Sequence, residues 1–358
     1  MSSVGPFVDK LETMSAGYTG TRYAVATSTG TAALHIALLL AGVEAGDEVL
    51  VPTITFIAPV NAIRYVGAWP VFMDADPETW QMDARKTKDF LDKECVWKNG
   101  ELRNKSTGRR VKAVLPVNIL GACVDMDAIA EVSRRYELPI IEDGTESLGA
   151  SYKNRKAGSL GDIGCLSFNG NKIITSGGGG MILANDEKTA RKAKYLTTQA
   201  KDDPLEYIHH EIGYNYRLTN IQAAVGVAQF EQLDSFVAKK RSIAVIYDRA
   251  LMAMKGVVVM PKPAEQNPTF WLYTFLLPAG TMLEQRKSAL RRLNDMGIGS
   301  RPLWHPIHSL PPYKNCQNYR IEQADGLYAR ALSLPSSVGL TSEDQARCIE
   351  AVGQVVPG

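Results

Sequence analysis

Tyr23-Ala24-Val25-Ala26, then Thr27-Ser28-Thr29-Gly30-Thr31, then Ala32-Ala33-Leu34-His35-Ile36-Ala37-Leu38-Leu39-Leu40 is the stretch that decides the fold. A short apolar, β-rich run gives way to a loop of small hydroxylic residues. The loop feeds directly into an apolar run long enough for a helix. Outward from it the same alternation continues. Runs over 48–51, 69–73, 111–117, 138–141, 164–168 and 179–183 read as strands, several of them apolar throughout, as strands buried on both faces are. Between them, 31–40, 59–66 and 126–136 read as helices. Alternating strands and helices predict an α/β domain with a mainly parallel central sheet and right-handed crossovers.

The texture changes near Thr219. Thr219-x-x-Gln222 is a capping-box pattern opening a helical stretch over 220–251. Beyond it come a strand-like run over 270–277, a helix over 284–296, a Pro- and His-rich loop over 301–313, and a last helix after Thr341 and Ser342. The expected organisation is a large α/β domain over 1–235 and a smaller α+β domain over 236–358, linked by the long helix near 220–251.

The 358 residues are 45% hydrophobic, ample for a buried core. Forty basic against 38 acidic residues leave a formal charge of +2, with no block of like charge that would suit nucleic acid or a membrane surface. Residues 1–20 carry no basic segment followed by an apolar run, and no stretch reaches the ~20 apolar residues of a membrane span. A cytoplasmic protein is expected. The five cysteines are scattered and form no C-x-x-C pair, so neither a disulfide framework nor a zinc site is signalled. His209 and His210 are adjacent and would point about 100° apart on a helix. His305-x-x-His308 has no companion thiol or carboxylate at ligand spacing. No metal is expected.

In an open α/β sheet, ligands gather beyond the carboxyl ends of the strands, so residues that follow an apolar run come first. Thr29, Gly30 and Thr31 stand between a strand and a helix, where free backbone N–H groups and the positive end of a dipole suit a phosphate. Read alone, such a string is more often a plain helix cap with a tight turn. Glu142-Asp143 ends the apolar run Leu138-Pro139-Ile140-Ile141, and a carboxylate there is costly to desolvate unless a donor or cation meets it. Ser167-Phe168-Asn169-Gly170-Asn171-Lys172 places a lysine near a strand end among small polar neighbours; such a lysine can act as a nucleophile toward an aldehyde. The run Gly177 to Gly180 lacks the Gly-Lys-Ser/Thr ending of a P-loop. Together the three sites match one cofactor, pyridoxal 5′-phosphate. It needs an anion cup, an acid to keep its pyridine nitrogen protonated, and a lysine to bond its aldehyde.

The wording and order of these motifs, with Pro52-Thr53-Ile54-Thr55-Phe56, Glu142-Asp143-Gly144-Thr145-Glu146-Ser147-Leu148-Gly149 and Gly213-Tyr214-Asn215-Tyr216-Arg217-Leu218, resemble the DegT/DnrJ/EryC1/StrS sugar aminotransferases over nearly the whole chain. Ser167 to Lys172 and the segment Thr197-Thr198-Gln199-Ala200-Lys201-Asp202-Asp203-Pro204 are most similar to the LegC-like branch. The resemblance implies a fold-type I enzyme that moves an amino group from L-glutamate to C4 of a UDP-linked 4-keto-6-deoxy N-acetyl sugar. It also implies a homodimer with shared active sites. By matching position, Lys172 would carry the cofactor, Asp143 would pair with the pyridine nitrogen and Phe56 would stack on the ring. Thr29, Gly30, Thr31, Ser167 and Asn169 would surround the phosphate end, Asn215 would reach in from the partner subunit, and His308 and Tyr313 would contact the sugar.

Two departures stand out. Glu146 occupies a position near the cofactor's ring hydroxyl where many members have glutamine; an acid there must be protonated or bridged to share a hydrogen bond with a phenolate. The chain opens at Ser2-Ser3-Val4-Gly5, which in relatives follows a helix and a loop near the sugar, so substrate contacts from that loop are expected to be missing. A GDP- or dTDP-linked keto sugar is the alternative substrate. Dehydratases similar in fold carry histidine in place of the lysine, which Lys172 speaks against, and a regulatory protein on this scaffold would be expected to lose it.

Overall fold

The computed structural model describes residues 5–203 and 205–356. Residues 2–4 of the opening segment and Pro204 of the 197–204 motif lie outside the described residues. The strands of the large sheet are β1 (Tyr23–Thr27), β2 (Glu48–Pro52), β3 (Trp69–Met73), β4 (Val111–Val114), β5 (Ile141–Asp143), β6 (Ile163–Ser167) and β7 (Gly180–Ala184). Parallel pairings run β3–β2–β4 and β5–β6. The two halves are joined by the parallel bridges Val114↔Ile140 and Val117↔Asp143. β7 lies antiparallel between β1 and β6. The spatial order is therefore β1-β7-β6-β5-β4-β2-β3, a mainly parallel sheet with one reversed strand.

Burial follows the sequence pattern. β2, β6 and β7 are buried at every position, which is why Val49-Leu50-Val51 and Met181-Ile182-Leu183 are apolar without alternation. Helices α1 (Pro6–Thr19), α2 (Gly30–Leu40), α3 (Ile57–Tyr65), α4 (Ala84–Glu94), α5 (Met126–Arg135) and α6 (Glu187–Thr197) flank or connect these strands. α2 is buried from Ala32 through Leu38; each fully buried leucine or isoleucine on it is worth roughly 1.5–3 kcal/mol. α1 is an element that the alternation, beginning only at Tyr23, does not signal. It packs against a later helix, α7 (Asn220–Phe230).

Three differences from the sequence expectation have local causes. The helix expected over 220–251 is two helices, α7 and α8 (Leu233–Leu251), separated by a turn at Glu231 and Gln232. The apolar run over 138–141 contributes a strand only from Ile141, with Pro139 unable to donate to a ladder. The run over 111–117 ends its continuous pairing at Val114, and Pro116 follows.

The C-terminal part contains β8 (Val258–Val259), β9 (Tyr273–Leu276), β10 (Arg301–Pro302), β11 (Asn318–Tyr319) and β12 (Ala331–Leu334), with helices α9 (Leu283–Asp295), α10 (Ala324–Arg330) and α11 (Ser342–Val355). β8, β9, β12 and β10 form an antiparallel sheet in that order. β11 instead crosses to the large sheet and pairs parallel with β3.

Candidate active site

Thr29, Gly30, Thr31, Phe56, Asp143, Glu146, Ser167, Asn169 and Lys172 all line one cavity of about 850 Å³ at the carboxyl edge of the large sheet. At one end is the opening turn of α2. Thr29 is its N-cap, extended at φ −156° and accepting the N–H of Ala32 on its hydroxyl at 3.0 Å. The first turn beyond it presents N–H groups that no helix carbonyl can reach. Gly30 is required by close packing, since a Cβ there would stand 2.8 Å from the Cβ of Ser167. The absence of a side chain keeps the serine of β6 within reach of the helix start.

Glu142 and Asp143 are neighbours on β5 and point to opposite faces, as strand residues must. Glu142 turns away from the cavity and accepts the N–H groups of Gly158 at 2.6 Å, Leu160 at 2.7 Å and Gly161 at 3.1 Å, with the Asn118 amide at 2.8 Å. Asp143 turns into the cavity and is 1% exposed. Its Oδ1 accepts the Thr145 N–H at 3.0 Å, and its Oδ2 has no hydrogen-bond partner among the described residues. Burial pushes the Asp143 carboxyl above its ordinary value, opposed by Thr145 and by the charge of Lys172. A cationic N–H donor at the second oxygen would stabilise the carboxylate.

Lys172 belongs to the loop between β6 and β7. Its backbone N–H is held by the Asn169 carbonyl at 3.0 Å. Its Nζ lies 4.0 Å from Glu146 Oε1 and 4.2 Å from the centre of the Trp271 ring. Glu146 is 3% exposed, and its Oε2 accepts the Leu120 N–H at 3.0 Å. Burial pushes the Glu146 carboxyl up to about 7, with Asp143 adding to the rise and Lys172 and the Leu120 N–H opposing it.

The facing wall comes from the C-terminal part: Trp271, Arg301, Trp304, His305 and Tyr328. The Trp271 and Trp304 rings are nearly parallel, 6.3 Å apart at 7°. Trp271 is fixed by its indole N–H on the Asn171 carbonyl at 2.8 Å. His305 packs on Tyr328 at 4.8 Å.

Residues 1–353 of the chain match the model of the DegT/DnrJ/EryC1/StrS aminotransferase family. The chain belongs to that family. It is similar to the GDP-perosamine synthase of Caulobacter vibrioides, 40% identical over 99% of this chain and 92% of that one. It is similar also to the GDP-perosamine synthase of Escherichia coli O157:H7, 38% identical over 99% and 91%. Among solved structures, a DegT/DnrJ/EryC1/StrS aminotransferase from Brucella abortus superposes with a TM-score of 0.90 at 27% identity, covering 100% of this chain and 92% of that one. The protein is a pyridoxal-phosphate-dependent sugar aminotransferase of the DegT/DnrJ/EryC1/StrS family.

The residues fit that cofactor. A cradle that a single Cβ at Gly30 would obstruct, a buried acid with an unpartnered oxygen and a lysine amine all open on the same cavity. Three further residues named from the family resemblance do not line this cavity in the single chain. His308 does not line the cavity; its ring Nδ1 is 2.7 Å from the Thr53 hydroxyl, docking the loop on the end of β2. Tyr313 does not line it either, and its hydroxyl donates to the Asn61 side chain. Asn215 is exposed on a segment bridged to Thr198. His305, not His308, is the histidine of the loop that faces the cavity, and the spacing His-x-x-His gave no means of choosing between them. Trp271 and Tyr328 carried no motif at all. Among the described residues, histidines, cysteines and carboxylates form no cluster of three or more suited to a metal. No helix among them is long and apolar enough to cross a membrane.

Proposed function

We propose that the chain transfers the amino group of L-glutamate to C4 of a nucleotide-linked 4-keto-6-deoxy hexose, and that the nucleotide is GDP. The observation that carries the reaction is the convergence of Lys172, Asp143 and the α2 cup on one cavity. The nucleotide rests on the names of the two relatives given above, both GDP-perosamine synthases matching 99% of the chain. The LegC-like wording of 167–172 and 197–204 supports a UDP-linked N-acetyl sugar as the second reading.

Bound pyridoxal phosphate supplies an aldehyde that takes up the amino group and a ring that accepts the electrons of a broken C–H bond. In the proposed arrangement the first turn of α2, with Thr29, Gly30, Thr31, Ser167 and Asn169, holds the phosphate. Phe56 covers one ring face. Asp143 would hold the pyridine nitrogen through its second oxygen, and Lys172 would hold the aldehyde end and carry a proton at its Nζ. The indoles of Trp271 and Trp304, with Arg301, His305 and Tyr328, form the substrate side. Two copies of the chain assemble, with Asn215 reaching across. Leu205 and Ile212, 85% and 84% exposed on the same loop, are apolar surface that such an assembly would cover.

The decisive experiment incubates the protein with glutamate and a panel of GDP-, UDP- and dTDP-linked keto sugars, following 2-oxoglutarate release and product mass. Turnover of the GDP-linked 4-keto sugar is expected. Turnover confined to UDP-linked N-acetyl sugars would transfer the assignment to the second reading, and release of 2-oxoglutarate with none of the panel would remove both.

A further inference from the structure

Helix α9 buries a cation that no described residue neutralises. Arg286 stands in its opening turn, at the positive end of the helix dipole, where a cation is disfavoured. The side chain is 2% exposed, and its Nε and Nη2 are buried without a hydrogen-bond partner among the described residues. An ion taken out of water with neither a counter-charge nor its hydrogen bonds lowers the stability of the fold. What the guanidinium does meet is a ring: Arg286 Cζ lies 4.9 Å from the centre of Tyr328. A cation on an aromatic face recovers part of that loss and fixes the ring.

Tyr328 projects from α10 into the lining of the cavity, and no hydrogen bond among the described residues engages its hydroxyl. From the Lys172 nitrogen the wall runs by contact to Trp271 at 4.2 Å, to Trp304 at 6.3 Å from that ring, to the adjoining His305, to Tyr328 at 4.8 Å and then to Arg286. Tyr328 therefore stands at the far end of the wall from the reacting nitrogen. The acids that line the cavity, Asp143 and Glu146, belong to the opposite wall, whereas this one adds the cation of Arg301.

A site with its acids beside the lysine and its cations beyond two indoles suits a molecule that reacts at one end and carries negative charge at the other. In the function proposed above, on which this inference rests, that molecule is the nucleotide-linked keto sugar: C4 lies across the ring from C1, and C1 bears the diphosphate. We infer that Arg286 and Tyr328 act as one unit that receives this diphosphate. Tyr328 donates its hydroxyl to a phosphoryl oxygen, a charge-assisted hydrogen bond. Arg286 is a positioning residue, holding the phenol in place and lending it positive charge from behind. The guanidinium then gains a nearby counter-charge only when the nucleotide is bound, which accounts for an ion that destabilises the free fold.

The test measures calorimetric binding of GDP, and separately of UDP, to the cofactor-loaded natural protein, to Tyr328→Phe, to Arg286→Met and to the double variant. Whichever nucleotide the natural protein binds should bind roughly tenfold more weakly to each single variant, the loss of one charge-assisted hydrogen bond. The double variant should bind no more weakly than the weaker single one, as residues acting together do. Thermal unfolding gives the second readout: Arg286→Met should melt at or above the natural protein, because an apolar chain of similar length replaces an unpaired buried ion. The glutamate half-reaction, followed by the absorbance of the bound cofactor, should suffer less than the keto-sugar half-reaction. Unchanged nucleotide binding in Tyr328→Phe or in Arg286→Met overturns the inference. So does an Arg286→Met protein that melts lower or does not fold, which would make the guanidinium a structural brace. A defect larger in the glutamate half-reaction overturns it too, since the anion would then be the donor's carboxylate. A natural protein that binds neither nucleotide removes the function and the inference together, whereas turnover of a keto sugar with unaltered binding in the variants removes the inference alone.

Discussion

One wall of the cavity is made of strand ends and the first turn of a helix; the other is made of side chains offered by a loop and a small antiparallel sheet. On the first wall Asp143, Ser167 and Thr29 stand where the main chain is already fixed by ladder or cap hydrogen bonds. On the second, Trp304 and His305 belong to a loop held to the end of β2 by the Ile307 N–H on the Thr53 carbonyl at 2.9 Å and by His308 on the Thr53 hydroxyl. The first wall is rigid because its backbone cannot move without breaking the sheet. The second is set by ring packing and by a few hydrogen bonds outside any sheet ladder, those of Ile307 and His308 to Thr53 and of Trp271 to Asn171. Chemistry common to a family belongs on rigid backbone, and selection among substrates on replaceable rings.

If that division is right, substitutions on the first wall act on the cofactor and those on the second act on the substrate. Lys172→Ala gives the largest effect: turnover falls below detection, and borohydride reduction followed by peptide mapping finds no pyridoxyl adduct at position 172. Asp143→Asn retains cofactor by absorbance while kcat/KM falls at least about a hundredfold, the lower range for a group that manages a proton in the transition state. Gly30→Ala sets a Cβ 2.8 Å from that of Ser167, and equilibrium dialysis should show roughly tenfold weaker cofactor binding, about 1.4 kcal/mol, with kcat restored at saturating cofactor. Trp304→Ala is the mildest, raising KM for the keto sugar up to about tenfold, the worth of one stacked aromatic, and leaving cofactor binding untouched. A Trp304→Ala protein that sheds its cofactor would break the comparison, and a Gly30→Ala protein altered only in its preference among sugars would invert it.

The same division governs what the sequence made legible. The first wall was readable because short, continuously apolar runs alternating with helix-period runs locate strand ends, and small hydroxylic or acidic residues immediately after them are conspicuous. Even there, two adjacent acids looked alike. Alternation along β5 sends Glu142 to four donors behind the sheet and Asp143 into the cavity. The second wall was not readable, because Trp271 and Tyr328 meet there only through the register of β9 and β12 and the docking of α10, and nothing in their flanking residues announces it. That His305 rather than His308 lines the cavity was hidden for a related reason: residues three apart in an irregular loop point in directions that only the bond to Thr53 settles. The break between α7 and α8 at Gln232 escaped notice since neither proline nor glycine marks it.

The reversed strand β7 has a consequence for how the lysine comes to its place. Ser167 and Gly180 face each other in the β6–β7 register, and the next pair outward is tied by the Phe168 N–H on the Gly179 carbonyl at 2.9 Å. The segment bearing Lys172 is thus a closed ring whose two ends are near neighbours along the chain, while the partners of most other strands are brought together across long crossovers. Ring closure over so short a span costs little chain entropy and happens fast. The loop that carries Lys172 can assemble early, from local contacts, before the distant pieces of the cavity arrive.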